Sequence, residues 1–299
     1  MFRRRRPAIQ MKTAEQIELM RAAGLLVGRT LEVLRDAVRP GITTLELDRI
    51  AETHIRDNGG VPSFKGYHGF TGTICASVNE EIVHGIPRAG KALRDGDIIS
   101  LDCGAIVEGW HGDAAITVPV GEITAELQRL LEVTETSLWH GLAAGQPGAR
   151  LSDMSHAIEA YIRSQGSYGI VEGYGGHGIG TEMHMDPLIP NHGAPGRGPV
   201  LEPGMCFAVE PMVNLGTKET VELDDGWTVV TVDGRSSAHF EHTFAVTPDG
   251  PRVLTALDEG REWFTRLGVR SYATSSSSAS SSSASSAAGS GEPSVQGGN

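Results

Sequence analysis

Residues 98–120 read IISLDCGAIVEGWHGDAAITVPV, and the fold turns on how this stretch is folded. An aliphatic, β-branched run reaches Val107, Glu108-Gly109 offers a tight turn, and a second such run follows from Trp110. The spacing predicts an antiparallel hairpin. Folding at Glu108-Gly109 brings Asp102 on the first strand to within a residue or two of facing Asp113 on the second. Opposed like charges destabilise a sheet unless something neutralises them. Two readings stay open: one or both aspartates face water near a turn, or both converge on a cation.

Working outward, Ile17, Met20, Gly24, Val27, Leu31 and Leu34 recur at three- and four-residue steps and form one helical stripe. Thr13 with Gln16 makes a capping box at its start, and Pro40-Gly41 ends it. Thr43 and Glu46 repeat the box before a second helix that stops at Asn58-Gly59-Gly60. Further helices are expected near 124–142 and 152–165. Strands are expected at 73–78, 98–107, 110–120, 206–213, 227–232 and 240–247, each short, β-branched or aromatic and bounded by Gly, Pro or Asp. The order is helix pair, strands, helix pair, strands. It predicts an α/β (α+β) architecture of two similar halves, with antiparallel sheet and helices on one face. No residue-level repeat accompanies this symmetry, which rests on element order alone.

The two ends differ from the middle. Arg3, Arg4, Arg5 and Arg6 form a basic arm over residues 1–10, either a solvated run or a docking element for RNA such as a ribosome surface. Residues 271–299 are rich in Ser, Ala and Gly and read as a disordered tail. That leaves 11–270 as the folded body. Across 299 residues, 25 Lys and Arg face 37 Asp and Glu, a net charge of −12, which argues against a dedicated nucleic-acid binder. No apolar run approaches the roughly 20 residues that cross a bilayer. Gln10, Lys12, Glu15 and Gln16 stand where a signal peptide would need apolar residues. Cys75, Cys103 and Cys206, widely spaced and odd in number, fit a reducing compartment. A cytoplasmic monomer is the expectation.

Gly is abundant, with 39 copies, and gathers around acids and histidines. Glu172 to Gly180 reads EGYGGHGIG, with His184 shortly after. Its GxGxxG string is not a dinucleotide loop, because Asp186-Pro187 and Pro190 follow too soon for a helix. The glycines instead let backbone pack closely around His177. Glu210 and Glu241 lie in apolar strand contexts, where a carboxylate is paired, protonated, metal-bound or on a water-facing edge. Taken together, Asp102, Asp113, His177, Glu210 and Glu241 carry four carboxylates and one imidazole, a charge that two divalent cations balance. Oxygen-rich ligation with one histidine suits Mn, Fe(II), Co or Zn, and the cysteines lack zinc-ribbon spacing. Two such ions about 4 Å apart are an apparatus for amide hydrolysis. No HExxH or GxSxG motif supports another hydrolase class.

SVNEEIVHGIP (77–87), the Asp102/Asp113 hairpin, GGHGIGTEMHMDP (175–187), AVEPMVN (208–214) and DGWTVVTVDGRSSAHFEHT (225–243) resemble the type I methionine aminopeptidases, from about residue 11 to 257. The resemblance implies a pita-bread fold of two pseudo-symmetric halves around a central metal site. It implies excision of the initiator methionine from nascent chains when the second residue is small. Carried over, Asp102, Asp113, His177, Glu210 and Glu241 match the five metal ligands, with Asp113 and Glu241 bridging. Glu210 matches the proton shuttle, and His84 and His184 match the histidines that contact substrate. Tyr67, Phe70, Tyr174 and Trp227 match walls of the methionine pocket, or are ordinary core aromatics. Thr71-Gly72-Thr73 and Phe64 depart from the family pattern at the pocket rim. Two rivals remain: a proline-directed aminopeptidase or dipeptidase of the same fold, and a non-enzymatic binding module built on it.

Overall fold

The computed structural model describes residues 9–275. The arginines at 3–6 and the chain from 276 onward lie outside the described residues. Helix α1 (Ala14–Ala37) starts at the Thr13/Gln16 capping box, in which each residue's side chain accepts the other's backbone N–H. The whole expected stripe from Ile17 to Leu34 is buried. Gly24 is required there: a Cβ would lie 2.3 Å from the Leu254 carbonyl oxygen, so α1 rests directly on backbone. Helix α2 (Thr44–Asp57) has the second capping box, Thr43 with Glu46. Helix α3 (Ala125–Ala144) is capped by Thr124, and α4 (Leu151–Gln165) ends at Gly166. A short α5 (Arg261–Arg266) follows late in the chain.

The hairpin forms as read. Strands Ile98–Val107 and Trp110–Pro119 pair along their whole length, with Val107 opposite Trp110. Glu108 (φ 50°) and Gly109 (φ 81°) supply the two positive φ values of a two-residue hairpin turn. This hairpin and strand Ile74–Val78 form the first half of a nine-stranded sheet, packed under α1 and α2. The second half comprises Glu241–Thr247, Cys206–Val209, Gly176–Gly178 and their neighbours. The halves join where Glu241 pairs with Ala115 and His242 with Ala114.

Two expected strands were drawn too long. The 206–213 strand breaks at Glu210-Pro211, because proline has no N–H for the ladder. Cys206–Val209 stays in the large sheet and Met212–Asn214 enters a three-stranded one. Its partner breaks at the same level: Ser237–His239 pairs with Met212–Asn214, and Glu241–Thr247 with Cys206–Val209. Residues 227–232 shrink to Val229–Thr231, since Asp225 ties the Trp227 and Thr228 amides into a turn. The chain also stays packed past 270. Ser271 and Ala273 are fully buried and Tyr272 stacks under Arg252, so these first residues of the expected tail belong to the packed body. At the other end, Gln10 bonds Thr181, which ties down a residue read as part of the free arm.

Candidate metal centre

In an antiparallel ladder, directly opposed residues point to the same face. Cys75 pairs with Asp102, Asp102 with Ala115, and Ala115 with Glu241, so one row crosses four strands. The neighbouring same-face row holds Asp113, whose N–H and C=O are both bonded by the Thr243 hydroxyl. Thr243 pairs with Ala208, and Ala208 with His177. Two adjacent rows therefore carry Asp102, Asp113, His177 and Glu241 to one place. Glu210 joins them from the strand break, its carbonyl held by Asn191 Nδ2 at 3.0 Å.

These five side chains form the polar floor of one cavity of about 140 Å3. Asp113, His177 and Glu241 each offer a donor atom within 4.8 Å of the others. His177 Nδ1 lies 3.0 Å from the Gly178 carbonyl, which it satisfies as an N–H donor, leaving Nε2 as the lone-pair nitrogen 3.8 Å from Glu210 Oε1. Close glycines seat this histidine as anticipated: a Cβ on Gly176 would lie 2.3 Å from the Ala208 carbonyl oxygen.

The electrostatics fit a cation. Asp102 Oδ1, Asp113 Oδ1 and Glu241 Oε1 are buried and have no hydrogen-bond partner among the described residues, a costly arrangement for carboxylates alone. Burial pushes Asp102 up to about 7, opposed by His239 and reinforced by Glu210. Burial and the adjacent carboxylates drive Asp113 and Glu241 well above the usual range. Burial also acts against ionised Glu210, but His239, His177 and His84 more than offset it and hold Glu210 below its ordinary value. A set of oxygen donors with one imidazole suits a divalent ion.

His84 and His184 flank the floor and line the same cavity. His84 follows strand Glu81–Val83 with φ 60°, a left-handed conformation that is strained for a non-glycine residue. His184 Nδ1 lies 3.0 Å from the Tyr67 hydroxyl. The apolar wall combines Phe64, Tyr67, Phe70, Cys75, Met183 and Trp227, with the Phe70 and Trp227 rings edge to face at 5.1 Å. Tyr174 is set differently: it packs against His84 at 5.9 Å and is not among the lining residues. The sequence reading passed over Cys75, Met183, Asn191 and His239. Only His239 left a usable trace, standing two residues before Glu241.

A floor of converging carboxylates and an imidazole joined to an apolar pocket defines a class, and comparison places the chain in it. Residues 18–248 match metallopeptidase family M24. The chain belongs to this family of metal-dependent peptide hydrolases, and its curled sheet with flanking helices is the pita-bread fold. Methionine aminopeptidase 1 of Mycobacterium tuberculosis is 53% identical over 257 residues, covering 84% of this chain and 97% of that protein. Methionine aminopeptidase 1 of Bacillus subtilis is 53% identical, covering 82% and 98%. The crystal structure of the Thermotoga maritima methionine aminopeptidase matches with a TM-score of 0.81 at 43% identity, covering 83% of this chain and 99% of that one.

Proposed function

We propose that this chain is a methionine aminopeptidase that removes the initiator methionine from nascent polypeptides whose second residue is small. The observation that carries the reading is the single cavity in which four carboxylates, those of Asp113 and Glu241 buried and those of Asp102 and Glu210 partly so, and His177 meet a wall of Phe64, Phe70, Met183 and Trp227. A linear thioether side chain suits such a wall, because sulfur makes favourable contacts with aromatic rings.

Asp102, Asp113, His177, Glu210 and Glu241 would hold two divalent ions, with Asp113 and Glu241 shared between them. Mn, Fe(II), Co and Zn all suit these donors. When bound, the ions supply Lewis acidity toward water and toward the scissile carbonyl. The protein's own groups do the rest. Glu210, held ionised by the surrounding histidines, takes a proton from the attacking water and returns it to the leaving amine. With His184 Nδ1 accepting from the Tyr67 hydroxyl 3.0 Å away, Nε2–H would be free to donate to the oxygen that gains charge. His84 lines the same cavity. Phe70 and Trp227 grip the side chain and exclude water.

No helix among the described residues is long and apolar enough to cross a membrane. The proposal places the protein in the cytoplasm as a monomer, with Arg3, Arg4, Arg5 and Arg6 touching the ribosome. The test is hydrolysis of Met-Ala-Ser, Met-Phe-Ser and Ala-Pro-Ala by metal-stripped protein, with and without Mn or Co. Free methionine from the first peptide alone, and only with metal, is expected. Cleavage of Ala-Pro-Ala would move the chain to the proline-directed branch. Silence on all three despite bound metal would favour a binding module.

A further inference from the structure

His239 was given no metal-holding or substrate-contacting role above, yet the residue is 1% exposed and its ring faces the Glu210 and Glu241 carboxylates. Its Nε2 is 3.6 Å from Glu210 Oε2 and 3.9 Å from Glu241 Oε2, and has no hydrogen-bond partner among the described residues. The residue is clamped from behind. The Thr117 hydroxyl accepts from the His239 N–H at 2.9 Å and donates to its carbonyl at 2.8 Å, and Ser100 Oγ lies 2.9 Å from Thr117 Oγ1. Ser100 and Thr117 sit on the hairpin that carries Asp102 and Asp113. One scaffold thus fixes both the aspartates and this imidazole.

We propose that His239 is a positioning residue: its Nε2–H stands between the Glu210 and Glu241 carboxylates and fixes how they present oxygen to the metal site. This rests on the functional reading above. A lone pair aimed at two carboxylates would be repelled by both, so Nε2 is the nitrogen that bears hydrogen. At 3.6 and 3.9 Å the N–H acts through its dipole, favouring orientations of Glu210 that turn an oxygen toward it, and the Glu210 backbone is already released from the ladder by Pro211. Partners that orient metal ligands in this way typically contribute 10–100-fold in metal affinity.

The experiment is calorimetric titration of Mn2+ into metal-stripped, full-length parent, His239→Ala, His239→Gln and Asp113→Asn proteins. Each is also melted without metal, and the Co2+-loaded forms are compared by visible absorption. His239→Ala is expected to bind Mn2+ 10–100-fold more weakly while melting near the parent temperature. His239→Gln, which keeps an N–H donor, should recover most of that loss. Co2+ bands that keep their positions in His239→Gln would support positioning, whereas bands shifted by loss of an imidazole ligand would overturn it. Full affinity in His239→Ala, alongside weakened binding in Asp113→Asn, would also overturn it. If the parent itself bound no Mn2+, the functional reading would fall instead. Should His239→Ala not fold, the Gln variant and a His239→Asn variant carry the same comparison.

Discussion

Asp102 and Glu241 lie in one ladder row, each directly opposite Ala115. The row crosses the joint between the two halves of the molecule, so the carboxylates from the two halves are spaced by two interstrand steps, about 10 Å of backbone. A small residue between them keeps that gap open. Ala115→Val adds two methyl groups there. Overpacking should cost about 1–3 kcal/mol of stability, and Mn2+ affinity should fall. Denaturant titration and calorimetry check both effects, and an unchanged affinity would mean the gap is not where metal sits.

Asp113→Asn separates site from scaffold. Removing this carboxylate, proposed above to be shared by two ions, should abolish detectable turnover and lower metal content. Yet Asp113 is surrounded by Asp102 and Glu210 charge in a buried setting, so the metal-free variant should melt at or above the parent temperature. Metal analysis together with thermal melts distinguishes this from simple misfolding, which would lower both.

His84→Ala should behave in the opposite way. Loss of one donor to the developing oxyanion typically costs about 100- to 1000-fold in turnover, while the metal ligands stay in place. Steady-state kinetics and metal analysis of the same preparation test it. Loss of metal from this variant would assign His84 to the metal floor.

Metal binding should be strongly pH-dependent. Asp102 is pushed up to about 7, and Asp113 and Glu241 lie well above the usual carboxylate range, so protons compete with the cation. Affinity should rise with pH through 7, and binding at pH 6.5 should release protons. The sign for stability is the reverse. In the metal-free protein these raised groups hold more protons folded than unfolded, so their contribution falls as pH climbs from near 4 toward 7. Calorimetry in buffers of different ionisation enthalpy counts the protons, and a count of zero would contradict the shifts.

Gly24→Ala tests the fold alone. The added methyl improves helix propensity by about 1 kcal/mol, but it would meet the Leu254 carbonyl oxygen at 2.3 Å. A net loss of stability is expected, measured by denaturant midpoint. A gain would mean that α1 can lift from the sheet without cost.

Local chemistry explains which features could be read in advance. Both capping boxes, the α1 stripe and the Glu108-Gly109 turn depend on residues close in sequence, and all four formed as expected. The two ladder rows were not visible, since the pairings of Ala115 with Glu241 and of His177 with Ala208 join distant strands whose register no short motif encodes. Resemblance supplied the residue set, and register supplied the reason those residues meet. Pro211 could have signalled the break in the 206–213 strand, because it cannot donate to a ladder. His239 escaped notice because a histidine in an apolar strand is usually part of the core, and its meaning depends on Glu210 arriving from another strand. Ser271 and Ala273 look like tail in composition, but Tyr272 stacks under Arg252 and both small residues are fully buried.

The most direct test is anomalous diffraction from crystals soaked in Mn2+. Two peaks, about 3.5–4 Å apart, are expected on the cavity floor between Asp113 and Glu241, one toward Asp102 and the other toward His177 and Glu210. A single peak, or peaks that avoid the Asp113 and Glu241 carboxylates, would contradict the shared two-ion centre.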